Sequence, residues 1–282
     1  MSGFDKRLTP ARPDLAASSL RGKINAARYA DGVVMQVIDV SAPLRNAPTS
    51  EASLDTEALH GERVTVYEET DEGWCWGQLA RDGYVGWLPS NALAKESLAS
   101  THRVKALRTF VFSKPDIKSP PIAALSFGSE FSVMREEGGF ALAANGGFIA
   151  RQHIAPKDYR ESDPVEVARR FLGTPYLWGG KTSAGLDCSG LVQLALQSTG
   201  IECPRDSDMQ QKIAGAVSFS GDEKTLKRGD LVFWKGHVGF YAGEGKLLHA
   251  NAFHMAVAEE LLRYAIERIR AGGSEVLEVL RL

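Results

Sequence analysis

The sequence predicts an α+β domain at the C-terminal end of the chain, preceded by two small all-β barrels. Three observations lead there. From Val33 to about residue 157, short apolar-alternating runs are punctuated by Gly, Pro and Asp, which is the texture of small barrels. After "APKDYRESDP" the texture changes to helical spacing first and strand-like runs later, an α+β order. The chain has 282 residues, more than one small domain needs. Its 44% hydrophobic and 24% charged residues suit a protein with a sizeable core. A net charge of −2 offers nothing to nucleic acid or an anionic membrane, so neither is expected as a partner. No apolar run approaches the ~20 residues of a membrane span.

The elements follow in order. Residues 1–32 read as a polar N-terminal arm, with Pro10 and Pro13 ahead of a short helix around Leu15–Leu20. Residues 33–97 hold the first barrel: "VVMQVIDV" is a strand, "SAPLRNAPTS" a loop and "ERVTVYEET" an alternating strand. "GWCWGQLARDGYVGWLPSNAL" gives two strands paired around the turn "RDG". The ending "DGYVGWLP" resembles that of bacterial SH3-like domains. Residues 98–157 repeat the same order, "LSFGSEFSV" answering "ALHGERVTV" and "GFIARQHI" answering "GYVGWLPSNAL". They read as a second, degenerate SH3-like barrel. Residues 158–282 form the α+β domain. Asp163 caps a helix with Pro164 at its first position, and a second helix starts near Cys188. Strands follow at "DLVFW", "HVGFYAG" and "KLLHANA"; "MAVAEE", a helix near Glu260–Ala271 and a last strand "VLEVLRL" finish the chain.

Cys75, Cys188 and Cys203 are an odd set without a C-x-x-C pair, so neither a disulfide framework nor a cysteine zinc site is expected. The N-terminus has no apolar core of the signal-peptide kind, and the expectation is a cytoplasmic protein. Cys188 stands apart. In "GLDCSGLVQLALQSTG" it opens a helix whose apolar residues recur at helical spacing and whose stop is Gly200. Free N–H groups at that first turn favour thiolate, the form that attacks carbonyl carbon. An exposed, acidified and readily oxidised thiol is therefore expected. His237 opens one strand and His249 sits on the next, twelve residues on. A hairpin brings two such side chains onto one face, the layout of nucleophile, base and orienting group. A metal at the pair is rejected, because no third ligand or carboxylate is evident for it. No cofactor is expected.

Together "YLWGG", "LDCSGLVQ", "PRDSDMQ", "GDLVFWKGHVGFYAG" and "LLHAN" resemble the NlpC/P60 family of papain-like cell-wall peptidases over about residues 160–282. With the two preceding barrels, the chain is similar to the γ-D-glutamyl-L-diamino-acid endopeptidases of murein-peptide recycling. The resemblance implies a papain-like catalytic domain with Cys188 as nucleophile, His237 as base and His249 as orienter. It implies a small murein peptide such as L-Ala-γ-D-Glu-diaminopimelate as substrate. Tyr176 is a candidate donor to the oxyanion, and Trp178 a candidate pocket wall. Asp187 is a candidate partner for a substrate ammonium, and Arg205 with Ser207 a candidate carboxylate grip; Ser189 joins this binding set. Tyr84, at the tip of the first barrel, is a candidate gate over the cleft, with Glu51 or Glu57 as the acid meeting the substrate amine. Two other readings compete: a cell-wall-binding SH3-like protein with a vestigial catalytic half, and a thiol acyltransferase on a related fold. The intact Cys188–His237–His249 set speaks against the first, and the lack of an apolar anchor against the second.

Overall fold

The computed structural model describes residues 3–282 except 96–98, 214, 218 and 220–222. The chain divides into two units, Met1–Tyr159 and Arg160–Leu282. The expected boundary between the barrels, at 97/98, lies outside the described residues.

In the first unit the predicted short helix at Leu15–Leu20 is instead a strand, Leu15–Ala17, parallel to Arg28–Ala30, with a 3-10 turn over Ser18–Leu20. All three strand residues are buried. Three consecutive buried positions suit an extended segment covered on both sides better than a helix with one apolar face. An antiparallel seven-stranded sheet follows, in the order Leu54–Leu59, Ser41–Arg45, Val85–Pro89, Trp74–Leu79, Arg63–Glu69, Val33–Val37, Leu93–Lys95. "SAPLR", predicted as loop, forms the strand Ser41–Arg45 because Ala42 and Leu44 alternate into the core. Residues 102–156 build a five-stranded sheet ordered Pro121–Ser126, Arg108–Phe112, Phe148–Ala150, Phe140–Ala143, Val133–Glu137. A three-stranded sheet accompanies it, ordered Glu130–Phe131, His102–Val104, Ile154–Pro156. Taken in chain order, these strands neighbour one another as in the seven-stranded sheet. In each case a 3-10 turn, Ser90–Ala92 or Arg151–His153, precedes the last strand. Each set has its own apolar core.

In the second unit Asp163 caps the helix Pro164–Arg169, its Oδ1 accepting from the Val165 and Glu166 N–H groups at 2.9 and 3.2 Å. The helix Cys188–Ser198 is buried at every residue but Gln197. A helix buried on nearly all sides belongs at the centre of its domain. Burial of Leu191, Val192, Leu194 and Leu196 there contributes about 1.5–3 kcal/mol per side chain. Against it lies an antiparallel sheet of six described strands: Gly215–Val217, Glu278–Arg281, Leu231–Trp234, His237–Gly243, Lys246–Asn251 and Ala256–Leu261. The last helix is Leu262–Ala271, so Glu260, expected at a helix start, lies on the outer strand instead. Segment Gly173–Tyr176 runs along that strand. Gly173 N–H donates to Val257 O (2.9 Å), Val257 N–H to Thr174 O (2.8 Å) and Tyr176 N–H to Met255 O (2.9 Å). Among the described residues, no helix is long and apolar enough to cross a membrane.

Candidate active site

The site is built where the central helix meets the sheet. Asp187 is the N-cap of the helix Cys188–Ser198, and its Oδ1 accepts from the Gly190 N–H at 2.7 Å. Gly190 can be nothing larger: an added Cβ would stand 2.4 Å from the Gly180 carbonyl oxygen. The helix thereby enters close beside the Gly179–Gly180 turn, with Cys188 in its first turn. The Cys188 sulfur faces the backbone N–H groups of Val238 and Ser189, which places it at the start of the His237–Gly243 strand.

The two predicted histidines meet as the hairpin spacing implied. His237 Nε2 and His249 Nδ1 are 2.7 Å apart. Gly239, on the strand of His237, makes this possible. A Cβ there would lie 2.9 Å from His249 Cβ, so only glycine lets the His249 ring lie across the hairpin toward His237. On the other side His249 Nε2 reaches Glu260 Oε1 at 2.9 Å. Register explains it: His249 pairs with Ala258 and Leu247 with Glu260, so the two side chains are diagonal neighbours on adjacent strands. Arg268, one turn into the last helix and beyond, clamps both Glu260 oxygens at 2.6 and 2.7 Å.

Electrostatics corrects the expected acidified thiol. Cys188 is only 7% exposed. Burial above all, then the Asp187 charge, pushes its thiol up to about 12, outweighing the helix start and the Val238 and Ser189 amides. Burial and the neighbouring His249 hold His237 down at about 3. The resting pair is an uncharged thiol and an uncharged imidazole. The expectation of an exposed, oxidation-prone Cys188 is therefore withdrawn. Tyr176 is half-buried; burial and the nearby Cys188 and Asp187 push its phenol up, so it stays a proton donor.

Two predicted substrate contacts are corrected. Arg205 is 1% exposed and spends its donors inside the protein. It binds Asp187 at 2.6 and 2.8 Å, Ser189 Oγ at 2.9 Å and the Gly180 carbonyl at 3.3 Å. It cannot also grip a substrate carboxylate with Ser207. Asp187, expected to meet an ammonium, is occupied by Arg205, the Gly190 cap and the Gly179 N–H at 2.9 Å. Ser189 is buried in the same cluster. Ser207 is half-buried at the start of the short helix Ser207–Gln210. Trp178 is 68% exposed, so it packs no wall by itself.

In the first unit, Tyr84 is 5% exposed and belongs with Leu79 and Leu88 to the apolar core of the seven-stranded sheet, which corrects its reading as a gate at the tip. Glu51 is exposed, and Glu57, half-buried on its strand, accepts from Ser41 Oγ at 3.2 Å. Cys75 and Cys203 are buried, and the Cys203 thiol donates to the Pro204 carbonyl at 3.6 Å.

Sequence reasoning missed Glu260 and Arg268. The claim that no carboxylate attends the histidine pair was wrong. His249, His254 and Glu260 offer ligand atoms within 4.8 Å of one another, with Arg268 already on the carboxylate. The signal for Glu260 was available: folding "LLHAN" against "AVAEE" through a four-residue turn sets the register that brings it to His249. The spacing from Glu260 to Arg268 carried no such signal.

A cysteine at the head of a central helix, set against a histidine pair on an antiparallel sheet, defines a cysteine peptidase. Comparison with known proteins agrees. Residues 173–269 match the NlpC/P60 family, and residues 44–93 match the bacterial dipeptidyl-peptidase SH3 domain. Dipeptidyl-peptidase 6 of Lysinibacillus sphaericus is 30% identical over 242 residues, covering 76% of this chain and 86% of that protein. The γ-D-glutamyl-L-lysine dipeptidyl-peptidase of Bacillus subtilis is 30% identical over 219 residues, covering 70% of this chain and 72% of that protein. The crystal structure of an NlpC/P60 family protein from Bacillus cereus shares the fold, with a TM-score of 0.73 and 23% identity over 88% of this chain and 99% of that one. The chain belongs to the NlpC/P60 family and carries a bacterial SH3 domain ahead of its peptidase domain.

Proposed function

We propose that this enzyme hydrolyses the γ-D-glutamyl–L-diamino-acid bond of short, free peptidoglycan-derived peptides that begin with L-Ala. Cys188 is the nucleophile, His237 the base and His249 its orienter. The observation that carries the chemistry is the hydrogen-bonded run from His237 Nε2 through His249 to Glu260, laid beside a cysteine whose sulfur sits at the Val238 amide. With Nε2 engaged, His237 has Nδ1 left to take the thiol proton. The sulfur then attacks the γ-carbonyl carbon, and the C–S bond forms as the carbonyl oxygen gains charge. The Cys188 backbone N–H, unpaired within its helix, and the Tyr176 hydroxyl donate to that oxygen. His237 returns the proton to the departing amine, the C–N bond breaks, and water releases the acyl group by the same steps reversed.

The substrate class rests on the relatives. Their names describe removal of a dipeptide at a γ-D-glutamyl–L-lysine bond. Trp178 and Ser207, both accessible, are the proposed contacts for such a peptide, with Glu51 and Glu57 kept as proposed acids for its amine. Residues 98–157 are proposed as a second SH3-like copy, on the strength of the repeated strand order, within the partition 1–32, 33–97, 98–157 and 158–282. Recycling of such peptides in the cytoplasm, rather than remodelling of the intact wall, is the proposed setting.

The test compares initial rates on L-Ala-γ-D-Glu-diaminopimelate, its L-lysine counterpart and their N-acetylated forms, for the native protein and for Cys188→Ala. The expected result is cleavage of at least one free-amine peptide, none by Cys188→Ala, and little of the acetylated forms. Turnover by Cys188→Ala would refute the thiol mechanism. Equal rates on acetylated and free peptides would refute the free-amine requirement.

A further inference from the structure

We infer that Glu260, locked by Arg268, is a positioning residue that sets the proton positions of both histidines and leaves His237 Nδ1 as the lone pair facing the reaction. The inference rests on the proposed roles of Cys188, His237 and His249 and extends them by two residues.

The argument runs inward from the carboxylate. Burial would raise Glu260, but hydrogen bonds from Arg268 and His249 outweigh it and hold the group down at about 2. At neutral pH it is therefore ionised, and an ionised carboxylate only accepts hydrogen bonds. His249 Nε2, 2.9 Å away, must be the N–H. Burial keeps His249 below its ordinary range despite the pull of Glu260, so the ring is neutral. A neutral imidazole with its proton on Nε2 presents a lone pair on Nδ1. His237 Nε2 lies 2.7 Å from that lone pair and must donate to it. His237 is also neutral, so its own Nδ1 carries no proton. One fixed anion thus determines three successive proton positions, and the last of them is a base ready to act.

The surroundings of Glu260 agree on this assignment. From the last helix it faces Arg268, from the neighbouring strand His249, and from the intervening turn His254, whose Nδ1 is 3.9 Å away. His254 is engaged with Asn251 Oδ1 at 3.0 Å. Arg268 supplies one donor to each carboxylate oxygen, and Oε1 also faces His249 Nε2. The arginine also lies over the Phe253 ring at 4.1 Å, which fixes the guanidinium from its other face.

A merely structural Glu260 would affect stability without selecting a tautomer, so the decisive readout is spectroscopic. Long-range 1H–15N correlation on 15N-histidine-labelled full-length protein at pH 7 reads the tautomer of each ring. The expected result is Nε2–H on both His237 and His249; Nδ1–H on either would overturn the inference. Glu260→Ala removes the acceptor that faces His249 Nε2. It should turn the single tautomer into a mixture and lower kcat about 10- to 100-fold with KM little changed. Glu260→Gln keeps an amide oxygen that accepts from His249 and should recover most of the loss. A Glu260→Ala enzyme within about twofold of native kcat, or one slowed with both tautomers unchanged, would overturn the inference. The tautomer measurement needs no substrate and no variant. A protein with both Nε2–H protons in place that fails to cleave γ-glutamyl peptides refutes the proposed function and upholds the relay.

Discussion

Replacing Arg205 by alanine tests the reassignment of this residue from substrate contact to buried strut. Its guanidinium is 1% exposed and makes four hydrogen bonds, two of them to Asp187 at 2.6 and 2.8 Å. Asp187 is itself buried and caps the helix Cys188–Ser198. Removing Arg205 leaves that carboxylate charged and without its counter-ion in a dry site, a loss of about 3–5 kcal/mol. For a unit the size of Arg160–Leu282, roughly 4 °C of Tm per kcal/mol translates this into a fall of about 12–20 °C. The assay is thermal unfolding followed by near-ultraviolet circular dichroism, paired with KM and kcat measured well below the variant's Tm. If Arg205 held a substrate carboxylate, Tm would barely move and KM would rise steeply. A Tm within about 2 °C of native together with a large rise in KM would refute the strut.

The histidines should differ in severity: His237→Ala should cost about as much as Cys188→Ala, since such residues act as a unit, while His249→Gln should retain measurable turnover. Equal and total loss in single-turnover assays would mean that His249 does more than orient. The neutral resting pair, with the thiol near 12 and His237 near 3, should leave Cys188 no more reactive with iodoacetamide at pH 7 than an ordinary thiol. A rapid burst of alkylation assigned to Cys188 by mass spectrometry would contradict this. Burial of neutral His237 also gives a signed pH effect: below pH about 6.5 the unfolded chain takes up the proton while the native ring, near 3, does not. Stability should therefore fall with acidification between those values, by at most about 1.4 kcal/mol per pH unit from this group, and be indifferent to it above. Urea midpoints from pH 7.5 to 4.5 should show a shallower slope for His237→Leu; parallel slopes would refute the assignment.

Much of the peptidase unit was legible because its signals are local. Asp163–Pro164 marks a helix start by capping chemistry alone, and the helix after Asp187 announces itself by apolar spacing. The histidine pair was legible because a hairpin converts sequence spacing into contact. The failures share a cause. Arg205 and Asp187 are 18 residues apart, and nothing local says that two charges of opposite sign will be buried against each other rather than offered to a ligand. Leu15–Ala17 looked helical because burial on both sides is a tertiary fact. The state of Cys188 was misjudged for the same reason: the helix start is visible in the sequence, the desolvation that overrides it is not. Tyr84 was placed by motif at a tip, whereas it is buried in the apolar core of its sheet.

The outer strand Ala256–Leu261 carries Glu260, and hydrogen bonds at Met255 and Val257 hold the segment bearing Tyr176. The two ends of the proposed chemistry, proton acceptance and carbonyl polarisation, are thus fastened to one piece of backbone. A substitution that shifts this strand by a fraction of an ångström moves both at once. On the proposed mechanism, the basicity of the site is hard to tune independently of its hold on the carbonyl oxygen. Diversification of substrate preference is pushed toward surfaces not tied to the strand, such as the exposed Trp178 and the short helix beginning at Ser207. An engineer seeking altered specificity would do well to randomise those positions and leave residues 255–260 untouched.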